Sequence, residues 1–362
     1  MCDLNQTTVW IFCRVIDNFG DAGVAWRLAK NLQNDLSCQM VLVIDNFTTL
    51  GRLLPELNHQ AIQQKVNQIN IIQWNNEHTL SGYLKNMPNP DLVIETFACE
   101  LPDFVKEIIL QNKALWLNWE YLTAENWAED MHLLPSLQAN GANKYFYFMG
   151  FSEKSGGLLR EKSLLPTAAK PVSGSLKTYI FAYSSNSWQK WFACWQEIMP
   201  NMTVSLAGNQ IRLPENHLIF QQMAFVPQTQ FDDLLAQFDF IVVRGEDSFV
   251  RTQYTGKPFF WHIYPQENQA HIAKLHAFWQ KVYAYFPPEL AKAHARLSDE
   301  LNGAVVLSDT ERTHNFMILF ENFSQWQNTQ QQWQAYLFSQ KSANEKLIAW
   351  LKSQSTSSIH AC

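Results

Sequence analysis

At 362 residues, with 47% hydrophobic and 17% charged side chains, the chain is long enough for two domain cores and too apolar to be disordered. A net charge of −6 argues against nucleic-acid binding driven by phosphate contacts and agrees with a basic partner. The six cysteines include no Cys-x-x-Cys pair, no apolar run approaches the roughly 18–20 residues of a membrane span, and the first residues lack the regions of a signal peptide, so no disulfide framework, zinc site or membrane segment is expected.

In chain order, Val9–Cys13 is apolar and rich in β-formers, and Val24–Leu32 carries apolar residues at helical spacing. Between them lies Arg14-Val-Ile-Asp17-Asn18-Phe-Gly20-Asp21-Ala-Gly23, which sets two carboxylates on the first strand-to-helix turn. Ligands of open α/β proteins collect at that edge. The turn lacks the Gly-x-Gly-x-x-Gly fingerprint and is anionic, so it suits a cationic acceptor better than a phosphate. Met40–Ile44, Ile69–Trp74, Leu92–Thr96 and Ala114–Trp119 follow as strands with helix-length or turn-rich segments between them. Such alternation predicts an α/β fold with a mostly parallel sheet. Residues 153–176, with Gly156-Gly157, Pro166, Pro171 and Gly174, read as a loop-rich connection that puts a domain boundary near 160–175.

The alternation then restarts: strand Lys177–Tyr183, helix Trp188–Met199, and strands Thr203–Ala207, His217–Phe220, Phe240–Val243 and Pro258–His262. Aromatic-rich helices are expected from about 311 to 352, with a frayed tail after them. The economical architecture is two α/β domains facing a central cleft: 1–165, 166–352 with the terminal helices, and a disordered tail at 353–362.

The second half holds a second constellation. A β-branched strand ends at Arg244, Gly245 permits a turn, and Glu246, Asp247 and Ser248 occupy the start of a helix. Plain capping explains that pattern. So does a nucleotide-diphosphate site, with Ser248 and backbone N–H groups on the diphosphate, Glu246 on sugar hydroxyls and Arg244 offsetting charge. Phe225 and Gln228, on a turn before another helix, offer a stacking surface and an amide to a planar base, and Phe181 and Tyr183 reach the same edge. The Asp17–Asp21 turn is equally divided on its residues alone, since Asp21 also suits an N-cap. His262 and His271 read as structural residues rather than a metal pair. Trp116 and Trp119 read as core, whereas Glu120 is placed to touch a basic acceptor surface.

Taken in order, Asp17-Asn-Phe-Gly-Asp21-Ala-Gly-Val-Ala-Trp-Arg-Leu-Ala, Phe225-Val-Pro-Gln228, Arg244-Gly-Glu-Asp-Ser-Phe-Val-Arg251 and Trp261-His-Ile-Tyr-Pro-Gln-Glu267 resemble the bacterial protein-arginine rhamnosyltransferases that modify elongation factor P. The resemblance runs across nearly the whole chain. It implies a GT-B fold of two Rossmann-like domains, with the nucleotide-sugar donor mainly in the second and the protein acceptor on the first. It implies inverting transfer of L-rhamnose from dTDP-β-L-rhamnose to an arginine of elongation factor P, activating that factor, in the cytoplasm and with no metal or other cofactor. Carried over by position, Asp21 becomes the leading catalytic base with Asp17 beside it. Phe181, Tyr183, Phe225, Gln228, Arg244, Glu246, Asp247 and Ser248 line the donor pocket, and Asp17, Asn18 and Glu120 meet the acceptor. No nucleic-acid or membrane partner is implied. The rival readings are a nucleotide-sugar transferase or epimerase with a small acceptor, and a non-catalytic nucleotide-sugar-binding module.

Overall fold

The computed structural model describes residues 7–168, 174–208, 210–212 and 218–357. The chain divides into two compact units, one of Met1–Leu164 with Gln340–Cys362 and one of Leu165–Ser339.

The first unit alternates β1 (Thr8–Cys13), α1 (Asn18–Leu36), β2 (Gln39–Ile44), α2 (Phe47–Leu53), β3 (Gln63–Val66), β4 (Ile69–Gln73), α3 (Glu77–Leu84), β5 (Leu92–Thr96), α4 (Asp103–Asn112), β6 (Leu115–Glu120), α5 (Asn126–Met131), β7 (Pro135–Leu137) and β8 (Asn143–Phe148). Among the described residues these strands form an eight-stranded sheet in the order β3-β4-β2-β1-β5-β6-β8-β7. Only the edge strands β3 and β7 pair antiparallel with their neighbours. All six residues of β1 are buried, as are all five of β5. A central parallel strand is covered on both faces, which is why Val9–Cys13 and residues 92–94 read as continuous apolar runs rather than alternating ones.

The second unit holds β9 (Lys177–Phe181), α6 (Ser187–Ile198), β10 (Thr203–Ala207), β11 (Ile219–Met223), α7 (Phe231–Leu235), β12 (Phe240–Arg244), α8 (Asp247–Gln253), β13 (Phe259–His262), α9 (Ala270–Tyr283), α10 (Pro288–Leu301), α11 (Asp309–Glu321) and α12 (Phe323–Ser339). Its sheet is parallel in the order β11-β10-β9-β12-β13. Trp188, Trp191, Phe192 and Trp195 recur along α6 at i, i+3, i+4 and i+7 and are all buried. Trp191 meets Phe260 edge-on at 5.3 Å and Phe316 at 4.9 Å, contacts worth about 0.5–1.5 kcal/mol each beyond their buried area. At the base of α6, Glu300 is buried and accepts hydrogen bonds from Trp191 Nε1 (2.9 Å) and from Arg312 Nε (3.0 Å) and Nη2 (2.7 Å).

The last helix, α13 (Ala343–Ser357), is where the structure differs from the expected division. Residues from Gln340 onward return to the first unit instead of completing the second. Lys346 Nζ donates to the carbonyls of Ser152 (3.0 Å), Glu153 (3.0 Å) and Ser155 (2.8 Å), and the Tyr147 hydroxyl donates to the Ala343 carbonyl at 2.8 Å. Gly157, at φ 75°, lets the two segments touch: a Cβ there would lie 2.8 Å from the Lys341 carbonyl oxygen. The helix also runs through part of the expected tail, to Ser357, while residues 358–362 lie outside the described residues. The expected strand at His217–Phe220 is β11, displaced to Ile219–Met223, with His217 itself outside the described residues.

Candidate active site

In the first unit β1 ends at Cys13 and the chain turns through residues 14–17 into α1. The Val15 N–H donates to Asp45 Oδ1 at the end of β2 (3.0 Å), which fixes the exit from the strand. Asp17 occupies the N-cap position but makes no side-chain cap bond. The work of the cap falls to Asp21, whose Oδ2 accepts from the backbone N–H groups of Ile16 (2.7 Å) and Asp17 (2.8 Å). These are donors that a helix start leaves without intrahelical partners. The Gly20 N–H closes the turn on the Asp17 carbonyl at 2.8 Å. Any side chain at Gly20 would collide with Asp17, because its Cβ would lie 2.7 Å from Asp17 Oδ2.

Asp21 is 1% exposed, whereas Ile16 beside it is 71% exposed. Burial raises the Asp21 pKa above the usual carboxylate value. The Asp17 and Ile16 N–H groups and the Tyr121 hydroxyl pull it down, and the Asp45 charge pushes it up. The net direction is upward, which makes Asp21 a stronger proton acceptor than an exposed aspartate. Tyr121 follows directly on β6, and its ring stacks on Phe97 at 4.2 Å. Glu120, the last residue of β6, accepts a hydrogen bond from Asn118 Nδ2. Asn18 opens α1, and its side chain lies outside the described residues. Ile16, Asp17 and Asp21 are thus linked through one carboxylate oxygen.

In the second unit the ends of β9 and β12 carry the predicted donor residues. These strands are neighbours, so Phe181 and Arg244 emerge at the same sheet edge. The Arg244 guanidinium lies over the rings of Phe181 (4.8 Å to the centroid) and Tyr183 (4.6 Å), and its Nη1 donates to Gln210 Oε1 at 2.8 Å. Gly245 then turns the chain at φ 70°, a region where other residues are strained. Glu246 is buried at the N-cap position of α8, and Asp247 and Ser248 begin the helix. Gln228 is buried in a short 3-10 turn before α7, and its Nε2 donates to Asp247 Oδ2 at 2.9 Å. Phe225, three residues earlier, is 44% exposed. Phe181, Tyr183 and Arg244 therefore form one contact group, and Gln228 and Asp247 another joined to it through Gly245 and Glu246.

Sequence reasoning reads His262 and His271 as structural residues and leaves both out of the candidate donor site. His262 ends β13 in register with Arg244, and its ring meets Tyr183 edge-on at 5.4 Å. Burial and the Arg244 charge lower its pKa to about 3, so this ring is neutral. His271 hydrogen-bonds instead to the Gln266 N–H (3.1 Å) and the Asn302 carbonyl (3.4 Å). Tyr121 and Asp45 were also missed as neighbours of the Asp17–Asp21 turn; a polar residue one step past a strand end was the available signal for each.

The chain as a whole is matched by comparison with known proteins. A family model described as the elongation factor P rhamnosyltransferase EarP matches residues 9–352. A protein-arginine rhamnosyltransferase from Neisseria meningitidis is 44% identical, covering 94% of this chain and 96% of its own length. One from Shewanella oneidensis is 34% identical over 80% of this chain and 84% of that protein. Among solved structures, one that describes EarP-mediated arginine glycosylation of elongation factor EF-P superposes with a TM-score of 0.61 at 22% identity, covering 96% of this chain and 99% of that one. The kitacinnamycin glycosyltransferase superposes at 0.54 and 11% identity, over 94% and 97% of the two chains. These likenesses place the chain in the GT-B fold.

Proposed function

The chain belongs to the EarP family of elongation factor P rhamnosyltransferases, and on that premise we propose how its residues divide the reaction. The protein is a protein-arginine rhamnosyltransferase acting on elongation factor P. Its donor is dTDP-β-L-rhamnose, held by the second unit, and its acceptor arginine is held by the first. The observation that carries this reading is the family match through both constellations, from residue 9 to 352.

The chemistry explains why the first unit presents carboxylates. A guanidinium stays protonated, with a pKa above about 12, and its lone pairs are delocalised, so it is a weak nucleophile. Asp17 and Glu120 hold the guanidinium fork, and Asp21 accepts a proton as the C–N bond forms. In the same step the bond from the anomeric carbon to the diphosphate oxygen breaks, with inversion at that carbon, and the dTDP leaves. Positioning contributes alongside proton transfer, because fixed geometry supplies a large effective molarity.

On the donor side, Phe181, Tyr183 and Phe225 offer flat surfaces, and Gln228 offers an amide to the base. Arg244 meets the diphosphate, and Glu246, Asp247 and Ser248 take the hydroxyl and phosphate oxygens. Arg244 offsets the leaving-group charge, so the transfer proceeds without a metal. Because the acceptor is a translation factor, the reaction belongs in the cytoplasm; among the described residues no helix is long and apolar enough to cross a membrane.

The test is the intact mass of elongation factor P after incubation with enzyme and dTDP-rhamnose. A gain of one deoxyhexose, mapped to arginine, is the expected result. No gain, with folded protein and measured donor binding, refutes the reading.

A further inference from the structure

We propose that His262 is a positioning residue for the nucleotide-sugar donor, its ring fixing the Tyr183 ring against which the Arg244 guanidinium lies. This rests on the reading of Tyr183 and Arg244 as donor-binding residues.

The three side chains come from three neighbouring strands. β9, β12 and β13 lie side by side, Arg244 and His262 close β12 and β13 in register, and Tyr183 stands two residues past the end of β9. The Tyr183 ring therefore spans the end of β12. Its centroid is 4.6 Å from the Arg244 guanidinium carbon and 5.4 Å from the centroid of the His262 ring, which it meets at 83°. Edge-on contact of this kind sets the positive rim of one ring against the negative face of the other, so it favours one orientation rather than mere proximity. Tyr264 also meets Tyr183 edge-on, at 5.7 Å, but Tyr264 is exposed and His262 is buried. Of the two neighbours, the histidine is the one that packing immobilises.

His262 is itself held from both sides along the chain. Among the described residues β13 is an edge strand, and the buried Asn302 side chain binds the backbone on either side of the histidine. Its Nδ2 donates to the Trp261 carbonyl at 3.0 Å, and its Oδ1 accepts from the Ile263 N–H at 3.0 Å. The His262 ring also lies 6.2 Å from that of Trp188, at the start of α6. Trp188 Nε1 donates to the Tyr183 carbonyl at 2.9 Å, so one tryptophan ties the tyrosine backbone to the ring that orients its side chain.

Packing alone does not account for a histidine at this place. Among the described residues its buried Nδ1 has no hydrogen-bond partner. Such a group costs stability that an apolar side chain would not, and departures of this kind belong to functional sites. Burial and the Arg244 charge keep the imidazole neutral. It therefore supplies a flat edge without setting a second cation beside the guanidinium.

The experiment measures dTDP-rhamnose binding by calorimetry, with the Tm alongside, for His262→Leu, His262→Phe, Tyr183→Leu and the double variant of His262→Leu with Tyr183→Leu. His262→Leu removes the flat edge and the unpartnered nitrogen together. It is expected to weaken donor binding about two- to tenfold, the size of one edge-on aromatic contact, with the Tm at or above its wild-type value. In transfer to elongation factor P the loss appears in the donor KM and not in kcat. His262→Phe, which restores an aromatic edge, is expected to recover most of the affinity. In the Tyr183→Leu background, His262→Leu has no further effect, because the histidine acts through that ring. Wild-type affinity in His262→Leu, a loss that only follows a lowered Tm, or a loss that persists undiminished in the Tyr183→Leu background overturns the proposal. Wild-type affinity in Tyr183→Leu overturns the donor reading of Tyr183 and this proposal with it, whereas weakened binding in Tyr183→Leu beside wild-type binding in His262→Leu overturns this inference alone.

Discussion

Replacing Asp21 by asparagine separates its chemical work from its structural work. The amide keeps an oxygen that can accept from the Ile16 and Asp17 N–H groups, which Oδ2 accepts at 2.7 and 2.8 Å. What it loses is the capacity to take a proton. A positioned base contributes about 10²–10⁴ in rate, or roughly 3–5 kcal/mol of barrier, so kcat should fall by that factor. Stability should go the other way. Because burial raises the Asp21 pKa in the folded protein, the native state binds the proton more readily than the unfolded chain does. The stability this provides is present below the unfolded-state pKa and is lost as pH rises through the folded-state value. At neutral pH the buried charge is therefore a cost, and Asp21→Asn should show an unchanged or raised Tm, with the gain over wild type vanishing on acidification. Asp21→Ala is the contrast: it leaves two buried N–H groups without an acceptor, at about 1–3 kcal/mol each, and should lose both Tm and activity. The assays are thermal unfolding across pH and mass analysis of elongation factor P in single turnover. Near-wild-type turnover in Asp21→Asn, or inactivity that only tracks a lowered Tm, would refute the reasoning.

The donor side gives two more expectations. Arg244→Lys keeps the charge but loses the planar group lying over Phe181 and Tyr183, so dTDP-rhamnose affinity by calorimetry should weaken about tenfold; equal affinity would show that the stack does not shape the site. Glu246→Gln should raise the donor KM while the Tm holds, and an unchanged KM would remove Glu246 from the sugar contacts. Within the fold itself, Arg312→Met leaves the Glu300 carboxylate buried without its cation. Unfolding by denaturant should register a loss of about 3–5 kcal/mol, and a change below about 1 kcal/mol would refute the structural weight given to the pair.

The strands that read clearly were those buried on both faces. Leu92–Thr96 and Thr203–Ala207 match β5 and β10 residue for residue, marked by the apolar run Leu92-Val-Ile94 and by Val204 and Leu206 between β-forming neighbours. The unmarked strands are the short edge strands and β8: Gln63–Val66 is polar, and Asn143–Phe148 is only partly buried along its first half. The return of α13 was illegible for a different reason. It depends on Lys346 reaching three carbonyls of the 152–155 loop, and no local pattern records a contact between such distant segments. The site divides the same way. Residues at strand ends were legible as a set, since topology alone brings Phe181 and Arg244 to one edge. The partners of Asp21 were not, because which backbone N–H groups a carboxylate reaches depends on the turn's geometry and not on residue types.

The two backbone bonds to Asp21 change how the Asp17–Asp21 turn is understood. On residue types alone, capping and the proposed catalysis compete for Asp21. The two roles are compatible, because the N–H groups that Asp21 satisfies also immobilise its carboxylate. A carboxylate that completes a helix start cannot rotate away from its turn without exposing two backbone donors, so the fold holds one orientation for the proton transfer proposed above. Asp17 stands at the N-cap position and makes no side-chain cap bond of its own. The spacing of four residues follows from this: one helical turn is the separation at which a side chain reaches back to the N–H groups preceding the helix.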